Sequence, residues 1–534
     1  MEEASANTYE QERRQKLQKL RDLGVDPFGQ RTEGIQPLAD VKAQHNPEMG
    51  QDGGPVVTVA GRVMFAKRFG KLAFLTLRDE TGDLQVALDK KRLYETGWAA
   101  GELIDLGDQI VATGKLGATK TGEVTVWATS VTFAAKALLP PPGKWHGLED
   151  VELRYRQRYV DLWANPDVMR IMKLRTRVVA EMRNYLNGLG YTEVETPMMQ
   201  VLHGGASARP FVTHHNALDI DLYMRIAPEL FLKRLLVGGF RKVYEINRNF
   251  RNEGISPRHN PEFTMLEAYE AFGSWETMAD MVEGLITHVA QTVFGTLDIP
   301  RHNAKEGEPR IISLRRPWNR ARMTELVKEY FNWDFDKRPL QEANPGLWNV
   351  LHQAESTQFF RDVKSILGWS EPRNEDETNR LEYIRRKLQA AAALRLDRMT
   401  PAEQLVEVYE KFIEPTLIQP TFVTHVPSVI IPLARPNKDD PFFADVYELA
   451  INGQEISPGY TELNDPDVQT QQFARQVGDA EERQKVDEDF LSALRYGMPP
   501  AGGMGLGVDR LLMMLTGAES IRDVILFPLM KPQG

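Results

Sequence analysis

The chain has 534 residues, 26% of them charged, a formal net charge of -10 and no cysteine. Its length suggests several domains. The absent thiols exclude disulfides, thiolate chemistry and thiolate zinc sites, and no H-E-x-x-H pair occurs, so a metal must take oxygen ligands, which favours Mg2+. The negative balance confines any nucleic-acid binding to local patches.

The opening MEEASANTYEQERR has no apolar segment after a basic one, and no apolar run approaches the ~20 residues of a spanning helix. A cytoplasmic location with no membrane attachment is expected. Within an N-terminal arm, 1–55, Tyr9 to Asp22 reads as a charged helix with Leu17, Leu20 and Leu23 as its apolar positions, closed by Gly24 and Pro27. It either packs on its neighbour or contacts RNA.

From Val56 to about Phe133 the pattern alternates through five short strands, with a helical stretch, Lys90 to Glu102, after the third. That order predicts an OB barrel over 56–140, a fold that commonly binds single-stranded nucleic acid on its strand face. Lys67, Arg68, Phe74 and Gln85 offer charge, a stacking ring and an amide there, although Phe74 also suits a core position. LLPPPGKWHGLED is a stiff linker around 141–150, and a second domain, 151–534, follows.

That domain opens on a helix with Met172, Val179, Met182 and Leu186 on one stripe, then a strand ending at Pro197. The stripe is a packing face, within or between subunits. RKVYEINRNF and FTMLEAYEAF form a hairpin whose loop gathers Arg251, Glu253, Arg258, His259 and Glu262. An arginine ending one strand and Phe263 beginning the next suit gripping a phosphate and stacking on a base. Residues 296–420 are helix-rich and hold the acidic stretch WSEPRNEDETNR, to which no chemistry is assigned. In DVYELAINGQEISPGYTELNDP, Glu448 and Glu455 lie on consecutive strands joined through Asn452-Gly453, a dipeptide favoured in type I′ turns. The pair reads equally as a magnesium site or as two solvated glutamates. Last, GMGLGVDRLLMMLTG joins a glycine-rich strand to a helix with Arg510 at the junction. Its glycine spacing does not fit a dinucleotide fingerprint, and no P-loop motif occurs.

These three separated elements together resemble motifs one, two and three of the class II aminoacyl-tRNA synthetases. With a barrel ahead of them they look like the lysine, aspartate and asparagine subgroup. GGASARPFVTHHNALDIDLYMRIAPELFLKRLLVGGF, RNEGISPRHNPEFTMLE and GYTELNDP are similar to the lysyl-tRNA synthetase family. The resemblance implies an α+β fold: a five-stranded OB barrel, then a catalytic domain on an antiparallel sheet flanked by helices. It implies a homodimer that activates L-lysine with ATP and Mg2+ and charges lysine tRNA. Arg251 and Arg510 are the matching catalytic arginines, joined in ATP binding by Glu253, His259 and Phe263, with Glu448 and Glu455 matching the Mg2+ ligands. Glu267, Tyr269 and Glu462 match contacts to the ε-ammonium, Gly205 and Glu229 positions near the α-amino group, and Tyr460 an aromatic lining position. Phe74, Gln85 and Glu123 match anticodon contacts, beside the basic pair Lys67 and Arg68. Two positions depart from the family: Pro458 stands where asparagine is usual, and Tyr460 where phenylalanine is common. Other function classes weighed are a lysine ligase acting on a protein and a catalytically impaired regulatory paralogue.

Overall fold

The computed structural model describes residues 2–142, 148–206, 208–301, 304, 309–352, 396–474 and 486–533. The stretch WSEPRNEDETNR lies outside the described residues. The chain divides into two compact units, Met1–Arg170 and Ile171–Gly534.

In the first unit the arm helix runs Glu2–Asp22. It buries Leu17 and Leu20, whereas Leu23, expected on the same stripe, is 40% exposed. Arg13 donates to the carbonyls of Leu106 and Ala137, both at 2.9 Å, and Lys16 pairs with Asp105. Of the two readings of the arm, packing on its neighbour is therefore the observed one. The barrel strands are β1 (Val56–Phe69), β2 (Leu72–Arg78), β3 (Asp83–Asp89), β4 (Gln109–Ala118) and β5 (Val124–Ala135), closed in the order β1-β2-β3-β5-β4. Alternation decides which side faces in. Along β2, Ala73, Leu75 and Leu77 are buried, and Phe74, one residue out of phase, is on the outer face. The expected helix follows β3 at Lys90–Glu102, capped by the Asp89 carboxylate accepting from the Lys91 amide at 2.9 Å.

The second unit is built on eight strands: β6 (Thr192–Glu193), β10 (Lys242–Phe250), β11 (Glu262–Ala271), β14 (Asn319–Arg322), β15 (Thr421–Thr424), β16 (Val446–Ile451), β17 (Gln454–Thr461) and β18 (Ala501–Gly507). Their order is β14-β15-β16-β17-β18-β11-β10-β6, antiparallel except at the two edge pairs. A small sheet holds β7 (Met199–Gln200), β8 (Val212–His215) and β9 (Ile220–Met224), and β12 (Asp298–Pro300) pairs with β13 (Ile311–Ser313). One face of the large sheet is packed by the helices Trp275–Val289 and Val508–Thr516 and by the helix ending at Gly188. The last of these inserts Val178, Met182 and Leu186, and Val179, expected on that stripe, is only half buried. The four-residue spacing 178-182-186 puts three side chains on one side, each stabilising by roughly 1.5–3 kcal/mol on burial.

The described residues of 296–420 are not a separate appendage. Among the described residues they supply β12, β13 and β14, and the helices Met323–Phe331 and Pro401–Val408 close a second core around Phe331, Trp333 and Phe412. No helix among the described residues is long and apolar enough to cross a membrane.

Candidate active site

β10 and β11 pair in register through Asn249↔Phe263 and Phe250↔Glu262, so Arg251 is the first residue released from the hairpin and Phe263 stands beside it. The Arg251 guanidinium lies 5.2 Å from the centre of the Phe263 ring, and its buried Nε has no partner among the described residues. Such an orphaned charged donor is costly unless a ligand meets it. Arg510, in the first turn of the helix after β18, donates to the Glu455 carbonyl and to His259 Nε2, both at 3.1 Å. His259 Nε2 therefore accepts and its Nδ1 carries the proton toward the Ser256 hydroxyl at 2.8 Å. Burial and the neighbouring Arg510 hold the imidazole below its usual range, which keeps it neutral.

The frame behind this loop escaped the sequence reading. Asp509 accepts from the Thr264 amide at 2.7 Å and from Arg175 at 2.5 Å, tying the long helix, β11 and the helix that carries Arg510 into one corner. No local pattern joins residues 334 positions apart.

Arg251, Glu253, His259, Phe263, Glu455 and Arg510 all line one cavity of about 210 Å³. A second cavity, of about 280 Å³, is lined by Gly205, Glu229, Glu267, Tyr269 and Tyr460. The two share Arg251, Met265, Glu455 and Pro458 as a common wall. One arginine thus faces both chambers.

Asn452 and Gly453 turn the β16–β17 hairpin at φ 55° and 69°. Burial, and then Glu455, push the Glu448 carboxyl well above the usual range. Glu410 and Glu414 join the two acids, and each is pushed up to about 7 by burial and then by Glu455. Glu414 also accepts from the Glu455 amide at 3.1 Å. The sequence reading missed both, because they fall in the region given no chemistry. This all-oxygen set suits a hard cation, and no three such groups converge in ligand geometry among the described residues. Mg2+ typically takes one or two carboxylates and completes its shell with water and substrate phosphates; Glu455 on the cavity wall fits that, whereas Glu448, which it repels, is not among the cavity's lining residues.

In the second cavity Glu267 receives the Tyr269 hydroxyl at 3.1 Å, and burial, then Glu229, push it up to about 8. Glu462, expected on the cavity wall, sits behind it: it is buried, also near 8 through burial, and ion-paired with Lys233, a residue the sequence reading did not single out. Glu229 is bound to the same Lys233 at 2.7 Å.

On the barrel, Phe74 is flanked edge-on by Phe69 at 6.3 Å and Trp127 at 6.1 Å. Lys67 lies over Phe69 and Arg92 over Trp127, each at 5.2 Å. Gln85 accepts from the Thr125 hydroxyl at 2.8 Å, and Glu123 is exposed before β5. Arg68 is anchored instead to the carbonyls of Gly101 and Ile104, at 3.0 and 3.2 Å. The outer face is an aromatic platform with cations at its rim.

Residues 150–531 match the family of tRNA synthetases class II (D, K and N), and residues 57–134 match the OB-fold nucleic acid binding domain. Among similar curated proteins, the lysine–tRNA ligase of Carboxydothermus hydrogenoformans is 43% identical, covering 100% of both chains. That of Pelotomaculum thermopropionicum is 45% identical over 99% of this chain and 96% of its own, and that of Bacillus subtilis 44% over 98% and 97%.

Proposed function

The chain belongs to the class II tRNA synthetases for aspartate, lysine and asparagine, and from the chemistry of its two joined cavities we infer how, as a lysine–tRNA ligase, it performs its reaction. The lysine carboxylate attacks the α-phosphorus of ATP in line; the bond to the bridging oxygen breaks and pyrophosphate leaves, giving lysyl-adenylate. A hydroxyl of the terminal ribose of lysine tRNA then attacks the carbonyl carbon, and AMP departs. The first nucleophile is already an anion, so positioning and charge neutralisation carry the step. Arg251, on the wall common to both cavities, holds the α-phosphate and the lysine carboxylate as they approach. Arg510 and Phe263 enclose the adenine, with Arg510 reaching the γ-phosphate, and Glu253 and neutral His259 complete the nucleotide contacts. Glu448 and Glu455 would hold Mg2+, which would neutralise charge on the phosphates.

Glu267 and Tyr269 receive the ε-ammonium, with Glu462 behind them adding its charge, Glu229 and Gly205 the α-amino end, and Tyr460 lines the aliphatic stem. Aspartate or asparagine would want an arginine or an amide here. A pocket that leaves such polar groups unpaired rejects a wrong side chain by roughly 10⁴-fold. Phe74, Gln85, Glu123 and Lys67 form the anticodon face, with Arg68 shaping its edge. The functional segments are the arm 1–55, the anticodon-binding barrel 56–140, the linker 141–150 and the catalytic domain 151–534.

The enzyme works in the cytoplasm as a homodimer. Supporting the dimer, Met199, Val201, Val212 and Leu218, on and beside the small sheet, are 56–64% exposed, an apolar surface that a second copy would cover; a monomer in sedimentation equilibrium would refute it. The shared Arg251 carries the functional reading, and ATP–pyrophosphate exchange with a panel of amino acids tests it. Lysine alone should stimulate exchange; a requirement for another amino acid would overturn the pocket assignment.

A further inference from the structure

The helix Glu229–Val237 is apolar at its buried positions Leu230, Leu232 and Leu236, yet one turn after Glu229 it buries the whole side chain of Lys233. The ammonium donates to Glu229 Oε1 at 2.7 Å and to the Leu433 carbonyl at 3.2 Å, and it is ion-paired with Glu462 Oε2. Burying a charge is costly unless it is fully paired, and a packing role at this position would need no charge. Glu462 is gripped from the other side too. Its Oε1 has no partner among the described residues and faces Gly503, where a Cβ would lie 1.9 Å from it.

Charge counting gives this arrangement a purpose. Glu229 and Glu267 line the second cavity, Glu462 lies behind its wall, and Lys233 sets one positive charge against the three acids. Arg225 does not contribute, being committed to Glu245 at 2.7 Å. With lysine bound, the three carboxylates face three cations, the resident ammonium of Lys233 and the α- and ε-ammonium groups of the substrate, whose own carboxylate is assigned to Arg251. Without the resident ammonium, Glu229 and Glu462 would lose the cation that holds them in place and offsets their mutual repulsion.

We propose that Lys233 is a specificity-determining positioning residue, a resident ammonium that fixes Glu229 and Glu462 and sets the pocket's charge to fit the two ammonium groups of free lysine. The inference rests on reading this cavity as the amino-acid pocket. Lys233→Met keeps length and removes charge. In ATP–pyrophosphate exchange its KM for lysine should rise about tenfold or more, a change of ~1.4 kcal/mol, while kcat and the KM for ATP stay near wild type. The preference for lysine over methionine, as a ratio of kcat/KM, should fall by a similar factor. Lys233→Arg, which keeps the charge, should recover most of both. Where the methionine variant fails to melt cooperatively, Lys233→Gln replaces it in the same series. An unchanged lysine KM in a folded neutral variant, an equal rise in the KM for ATP, or an arginine variant as impaired as the neutral one overturns the proposal. Wild-type exchange driven by another amino acid would sink the underlying reading instead, with Lys233 not at issue.

Discussion

Burial sets the charge of Glu267, the residue proposed to receive the ε-ammonium. Its carboxyl is raised to about 8, by burial first and Glu229 second. A raised carboxyl is neutral below that value and gains its charge as pH rises through it. The ε-ammonium of lysine, with an unperturbed pKa of about 10.4, stays charged over the same range. The KM for lysine in the exchange assay should therefore fall as pH is raised from about 6.5 to about 8.5, while the KM for ATP changes little. In Glu267→Gln the slope should shrink without vanishing, because Glu462 also titrates near 8. An identical slope in wild type and Glu267→Gln would remove Glu267 from lysine binding.

At the scale of elements, the β16–β17 hairpin is where a turn would aim the proposed metal pair. Gly453 has φ 69°, and a Cβ there would lie 2.6 Å from the Pro415 carbonyl oxygen. The turn is pinned further by Asn452 accepting from Arg301 at 2.6 Å. Gly453→Ala should cost about 1–3 kcal/mol through the left-handed backbone and the collision. Because Glu455 is two residues on, the Mg2+ concentration for half-maximal exchange should rise as the melting temperature drops. A folded variant with an unchanged Mg2+ requirement would show that the turn does not set the acids. This hairpin was legible in the sequence because Asn-Gly between alternating strands is a local signal, and so were the loop of Arg251 and the barrel's alternation. What escaped is non-local. Asp509 and Arg175 meet across 334 positions, Lys233 looks like any helical lysine until Glu462 arrives from another segment, and Glu410 and Glu414 gain meaning only when the ends of region 296–420 join the sheet. Side-chain direction was legible to within a residue, which is why Val178 and not Val179 is the buried member of its stripe.

For the molecule as a whole, the two joined cavities are lined by residues of Ile171–Gly534 alone, and the aromatic platform is made by residues of Met1–Arg170. Amino-acid activation should therefore be indifferent to a platform mutation that impairs tRNA charging. Phe74 is the sharpest probe, since it stands on the outer face of β2 between Phe69 and Trp127 and its removal leaves the inward residues Ala73 and Leu75 untouched. Stacking on a base is worth roughly 1–3 kcal/mol, so Phe74→Ala should raise the KM for lysine tRNA by about ten- to a hundredfold. ATP–pyrophosphate exchange should stay at the wild-type rate. Melting of the variant separates the two effects, because a platform residue costs little stability and an inward-packed phenylalanine would cost about 3–5 kcal/mol. Equal loss in charging and exchange, with a large drop in stability, would mean that Phe74 holds the barrel together and does not read the anticodon.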